Sequence, residues 1–218
     1  MDIKNIIIAK LLTLPGIIIG LSVHEFGHAF VAYKLGDDTQ KYMGRLTLDP
    51  LKHMDPIGFL MLLFAGFGWA KPVQFNPRYF KNYRRDTSLV ALAGVTMNLI
   101  TAIFFTIVLG VVFYFTWESS SKLGVQIVYT IIDNIILINI GLLFFNLIPI
   151  PPLDGHHVLG NIVGGKLWDI YYRYADYFRI GLLIFVFSSA SGYVIGPLVS
   201  KTYSLLINGL NAVLGLIM

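Results

Sequence analysis

The sequence predicts an all-α polytopic membrane protein, and three observations carry that prediction. Hydrophobic residues make up 56% of the 218 positions. Charged residues make up 13%, about half the roughly 25% of a soluble domain. Apolar runs over 88–115, 125–150 and 178–199 are each long enough to cross about 30 Å of hydrocarbon. With the N-terminal helix, a short re-entrant piece and the C-terminal stretch, they predict about five to six membrane segments. No repeat, low-complexity tract or flexible linker interrupts the chain. Residues 1–218 therefore read as one domain, with a core over about 6–160 and C-terminal membrane segments over about 178–217.

The first helix is expected over about 6–35, kinked at Pro15-Gly16 and stopped by Gly36. Lys4 and Lys10 precede its apolar run as in a signal peptide. No small-residue cleavage pattern follows, so the run is read as retained. Residues 37–56 are polar and punctuated by Gly and Pro; within them "GRLTL" (44–48) alternates well enough for a short strand, a small β element. The apolar piece after it, 57–69, reaches only about 20 Å as a helix, hence the re-entrant expectation. Lys71, Arg78, Lys81, Arg84 and Arg85 then cluster in one loop. No aromatic platform accompanies them, so they read as an orienting signal for a cytoplasmic loop and not as a nucleic-acid surface. Two spans follow, separated by "ESSSKLG", and the second ends in the proline-rich "NLIPIPPLDGHH". A mixed segment leads to the span from 178 and an apolar stretch after Pro197. The chain has no cysteine, which excludes disulfides and thiolate metal sites.

The first helix carries "LSVHEFGHAFVAYKLG" (21–36), three ionisable groups in an otherwise apolar run. Such groups are costly inside a bilayer and mark function. His24 and His28 stand four residues apart, on one helix face, where both imidazoles reach a single ion. Glu25 is rotated about 100° from His24, beside that ion, as suits a general base acting on a water there. The arrangement is that of H-E-x-x-H metalloproteases. A catalytic zinc takes three protein ligands; the candidates for the third are Asp154, His53, His156 and His157. Gly16 and Gly20 continue the stripe and suit close approach of a partner helix. His53 and Asp55 read as polar turn residues of the connector or as a gate, and Asp133 and Asn134 as a helix cap or interfacial pair.

Four stretches resemble the site-2 proteases, intramembrane zinc metalloproteases: His24-Glu25-Phe26-Gly27-His28, "GWAKPVQFNP" (68–77), "AGVTMN" (93–98) and "NLIPIPPLDG" (146–155). The last matches the family pattern N-x-x-P-x-P-x-L-D-G at every fixed position. The resemblance covers about residues 15–160 and is to the compact branch without a PDZ insertion. It implies one Zn2+ per chain held by His24, His28 and Asp154, with Glu25 activating the water. It implies that Asn146 orients the substrate backbone or its oxyanion. Gly94 and Asn98 match the family's G-x-x-x-N element; for Asn98, interhelical hydrogen bonding is the equal alternative. The family often has a glycine after L-D-G, where this chain has His156 and His157.

The two motifs share one ion only if the first helix and the span 125–150 end on the same side. A cytoplasmic basic loop brings the second of those ends to the cytoplasmic side. The short piece 57–69 lets the first helix end there too. Implied partners are transmembrane protein substrates and the lipid bilayer, in a prokaryotic cell membrane. An extended substrate is expected to pair with "GRLTL" or with the re-entrant region by edge addition. Rival readings are a catalytically silent metal-binding relative, which would not need Glu25, and a metal transporter, whose usual internal repeat is not visible here.

Overall fold

The first 32-residue helix, α1 (Ile3–Lys34), passes through Pro15 without a break. It ends where the sequence places its stop. Gly36 takes φ +104°, its N–H reaches Tyr33 O at 3.1 Å, and Asp37 N–H reaches Ala32 O at 3.0 Å. That pair of bonds is a Schellman cap, which satisfies the last carbonyls and demands a glycine.

The computed structural model describes residues 2–65 and 68–217. Its remaining helices are α2 (Thr39–Tyr42), α3 (Pro50–His53), α4 (Pro56–Ala65), α5 (Tyr83–Thr116), α6 (Leu123–Asn146), α7 (Gly155–Val163), α8 (Gly165–Arg173), α9 (Ala175–Phe187) and α10 (Ala190–Ile217). Among the described residues α1, α5 and α6 are long and apolar enough to cross a membrane, and α9 with α10 form a pair bent by 70°. The molecule is an integral membrane protein with three such spans, or four counting the bent pair.

That count corrects the expectation of five to six segments. Helix α4 has ten residues, about 15 Å, which does not cross; residues 66–67 of the same apolar piece lie outside the described residues. The expected span 178–199 is two helices. At Ser188 the backbone turns extended (φ −89°, ψ 163°), and hydroxyls serve the broken ends. Ser188 Oγ donates to Phe185 O at 2.9 Å and accepts from Ala190 N at 3.3 Å, while Ser191 Oγ donates to Ser188 O at 3.1 Å. Small hydroxyl side chains offer the backbone this alternative to helix, and hydropathy does not register it. Helix α10 then continues through Pro197.

The β element is also corrected. Residues 44–48 form no strand: a turn ends at Gly44 (φ +66°) and a bend follows at 46–47. Among the described residues the only sheet-like feature is a single antiparallel bridge between Met54 and Ala70. Alternation alone cannot make a strand without a partner edge, and among the described residues none pairs with 44–48.

Helices α1, α5 and α6 pack on one another, and α10 leans on α5 and α6. Ala102, Ile132, Ile136 and Ile140 form one buried cluster, closed by Val199, Tyr203 and Leu206 of α10. Helix α5 starts in the basic loop with a reciprocal cap. Asn82 Oδ1 accepts from Arg85 N at 3.1 Å and Asp86 Oδ2 accepts from Asn82 N at 2.9 Å, the logic of a capping box. Asn161 of α7 pins that end, donating to Arg84 O at 3.0 Å and to Thr87 Oγ1 at 2.7 Å. The turn 147–154 folds back beneath α6 because residue 155 is glycine: a Cβ there would stand 2.3 Å from Leu147 O. Tyr171 of α8 steadies it with a 2.8 Å bond to Pro149 O.

Candidate metal centre

His24 and His28, one helical turn apart on α1, stand edge to face with ring centroids 4.6 Å apart. Both are buried, and each has its Nδ1 against an oxygen. His24 Nδ1 lies 2.7 Å from Asn98 Oδ1, and His28 Nδ1 lies 2.7 Å from Val90 O. A carbonyl oxygen can only accept, so each Nδ1 carries a proton and Nε2 is the atom each ring can offer to a metal.

Those atoms face each other and Asp154. The two Nε2 atoms are 3.0 Å apart, and Asp154 Oδ2 lies 3.0 Å from that of His24 and 3.3 Å from that of His28. With neutral rings this is three acceptors without a donor, and Asp154 Oδ2 is indeed a buried oxygen lacking a hydrogen-bond partner. Such a set suits a metal cation. Ligands about 2.0–2.1 Å from a tetrahedral zinc are separated by about 3.3 Å, close to the spacing found. Among the described residues this is the one group of three such side chains that could hold a metal ion.

Gly94 explains how two rings fit against α5. A Cβ at residue 94 would stand 2.6 Å from His28 Nε2 and 2.7 Å from His24 Cε1, so the imidazoles occupy the space any side chain would need. Gly27 plays the matching part on α1, where a Cβ would stand 2.7 Å from Ala93 O.

Glu25 is buried beside the pair. Its Oε2 accepts from Val73 N at 2.8 Å, which fixes the carboxylate's direction. The segment delivering that N–H is gripped from its opposite edge by the connector after α1. Arg45 Nη1 donates to Pro72 O at 2.9 Å, the Gln40 amide donates to Gln74 O, and Asp37 Oδ2 accepts from Asn76 N at 2.6 Å. Residues 72, 74 and 76 face the grip while 73 faces Glu25, the alternation of an extended chain. Asp37 and Gln40 are fully buried, polar side chains standing in for a neighbouring strand.

The other sequence candidates fall outside the cluster. His53 is buried in the connector, with Nε2 2.7 Å from Thr47 O and its own carbonyl accepting from Lys71 N at 2.7 Å. It ties the connector to the segment before Glu25's anchor. Asp55 accepts from Gly58 N at 2.8 Å, at the start of α4. His156 Nδ1 lies against Leu153 O, and His157 packs on Phe75 and Trp168. Burial lowers the pKa of both, that of His157 to about 4, so they are neutral rings at neutral pH. Asn146 ends α6, its amide donating to Leu142 O at 3.1 Å. Asp133 and Asn134 tie helices together, Asp133 to Tyr203 OH at 2.9 Å and Asn134 to Leu12 O at 3.2 Å.

Comparison with known proteins agrees with this geometry. The chain matches the model of peptidase family M50 over residues 12–136 and 112–187. It belongs to that family, the site-2 proteases. It is 38% identical over 186 residues to "Putative zinc metalloprotease YwhC" of Bacillus subtilis, covering 84% of each chain. Two mycobacterial proteins, both named "Putative zinc metalloprotease Rip2", are 32% identical: that of Mycolicibacterium smegmatis over 154 residues and that of Mycobacterium tuberculosis over 157. Each of those matches covers 68% of this chain and 56% of the relative, so the chain spans little more than half their length. No solved structure matches the chain. The family and the donor set together make this M50 chain a zinc metalloprotease by membership.

The sequence motifs missed five contributors. Val90 O and Val73 N–H are main-chain atoms, and no residue type announces them. Gln40 and Asp37 look like ordinary loop polars. Asn139, in the interior of α6, did carry a signal, an isolated amide within an apolar span.

Proposed function

We propose that the chain is an intramembrane zinc metalloprotease that hydrolyses peptide bonds within or near transmembrane segments of membrane proteins. The observation that carries this reading is the triad of lone pairs from His24, His28 and Asp154, with Glu25 beside it, at one end of three membrane-long helices. Bound at those three atoms, zinc would supply Lewis acidity and acidify a water. Glu25 accepts the proton that the attacking water loses and hands it to the nitrogen of the departing amine. The new C–O bond and the broken C–N bond then leave a carboxylic acid and an amine, which a second proton transfer turns into carboxylate and ammonium. Val73 N–H holds the carboxylate in the direction this requires. Asn146 uses one amide N–H on Leu142 O; the other is the donor assigned to the substrate carbonyl.

The edge that presents Val73 N–H also presents the main chain of Phe75, and the connector's side chains occupy the opposite edge. An unwound substrate pairs along that free edge, not along residues 44–48. A photo-crosslinker at position 75 should capture substrate; capture at 44–48 and not at 75 would reverse this assignment. The basic loop supports an active site facing the cytoplasmic side of a prokaryotic cell membrane.

The deciding experiment compares wild type with Glu25→Gln, purified in detergent with zinc, on a panel of single-span substrates. Cleavage by wild type alone, with equal zinc in both, is the expected result. Zinc in both without cleavage by either would favour a silent metal-binding relative, and metal flux into liposomes a transporter.

A further inference from the structure

We propose that Asn139 is a positioning residue for the metal site, acting through Asn98 to fix which nitrogen of His24 carries the proton. The inference rests on the reading of His24 as a zinc ligand. Asn98 and Asn139 are both completely buried, one on α5 and one on α6, and neither is within reach of substrate chemistry by its own bonds.

The chain of bonds has a definite polarity. Asn139 Nδ2 donates to Ile135 O at 2.8 Å; a carbonyl can only accept, so the amide's oxygen must point the other way. That oxygen accepts from Asn98 Nδ2 at 2.9 Å. Asn98 Nδ2 also donates to Gly20 O at 3.0 Å, so both of its N–H groups are committed. Only the Asn98 oxygen is left for His24 Nδ1, at 2.7 Å. His24 must therefore carry a proton at Nδ1, which in the neutral ring leaves Nε2, the atom that faces Asp154, bare.

Turning the Asn98 amide over would set its oxygen against two acceptors, Gly20 O and Asn139 Oδ1. It would also offer N–H to His24 Nδ1, driving the proton onto Nε2 and closing that position to a cation. Without Asn139 the flipped amide faces one opposing oxygen instead of two. Outer partners that orient a ligating histidine typically change metal affinity 10–100-fold when lost. Gly20 lies alongside: a Cβ there would be in ordinary contact, at 3.5 Å, with both polar atoms of Asn139.

The test uses the full chain, metal-free in detergent, titrated with Co2+ and followed by visible absorption, with 15N-histidine NMR of the same samples. Asn139→Leu should weaken Co2+ binding about 10–100-fold and leave His24 in mixed tautomers. Asn139→Asp keeps an oxygen facing Asn98 and should bind within about threefold of wild type. A folded Leu variant with wild-type affinity and a pure Nδ1–H tautomer overturns the proposal, as does an Asp variant as weak as Leu. If the Leu variant does not fold, the Asp variant and the wild-type tautomer decide, and a wild-type proton on Nε2 is fatal. Failure of wild type to bind Co2+ would instead overturn the metalloprotease reading, with the His24 tautomer still measured.

Discussion

The bundle of α1, α5 and α6 and the C-terminal pair α9–α10 are both apolar, yet they are built to different tolerances. In the bundle, helices meet through glycines and buried amides. A Cβ at Gly16 would stand 3.0 Å from Asn134 O and 3.1 Å from Ile135 Cα, both main-chain atoms. Where α10 meets α5, a Cβ at Gly110 would meet the end of a leucine side chain, Leu210 Cδ1 at 2.3 Å, which can turn aside. Among the described residues a polar bond, Tyr203 OH to Asp133 Oδ1, joins α10 to α6. Polar groups held in hydrocarbon must meet partners at fixed distances, so the half of the molecule that holds the ionisable cluster is the half with close backbone contacts.

Substitutions break this contrast in a graded way. Glu25→Gln keeps the packing and removes the base; peptide hydrolysis should fall about 10²–10⁴-fold with zinc content unchanged, measured by cleavage and metal analysis on one preparation. Gly94→Ala, at the floor of the cluster, should lower zinc affinity more than about tenfold, because both imidazoles are tethered at Nδ1 and neither can retreat. Chelator competition reads this, and wild-type affinity in the alanine variant would refute the steric account. Gly16→Ala should destabilise the bundle by about 1–3 kcal/mol, seen as a fall in Tm in detergent. Gly110→Ala should cost less than half as much, and equal costs would erase the distinction between the regions. Tyr203→Phe sets the lower bound. Loss of its bond to Asp133 should cost about 0.6 kcal/mol, the average for an interhelical hydrogen bond in a membrane, and leave zinc affinity untouched.

How far the chain could be read in advance follows the same division. The histidine pair was legible because i, i+4 spacing places two side chains on one helix face whatever surrounds it. Asp154 was legible only through its motif, since the turn that carries it across to α1 is set by Gly155 and Tyr171, far from the histidines in sequence. The membrane segments were overcounted where a ten-residue helix and a pair of serines defeat a reading by apolar length. The strand at 44–48 failed for a related reason. Alternation describes the faces of a segment, but whether it is extended depends on which groups take its amides, and here the side chain of Arg45 serves residue 72. Asn139 was visible as an amide in an apolar run, while its partner was not. Pairing with Asn98 depends on how α5 and α6 meet.

The anchor of Glu25 has a consequence for inheritance. The donor is the main-chain N–H of Val73, which nineteen of the twenty genetically coded amino acids would equally provide; proline alone lacks it. The codon at that position can drift without loosening the carboxylate. A comparison of descendants that scores letters would pass over the contact, although every one of them that avoids proline inherits it intact.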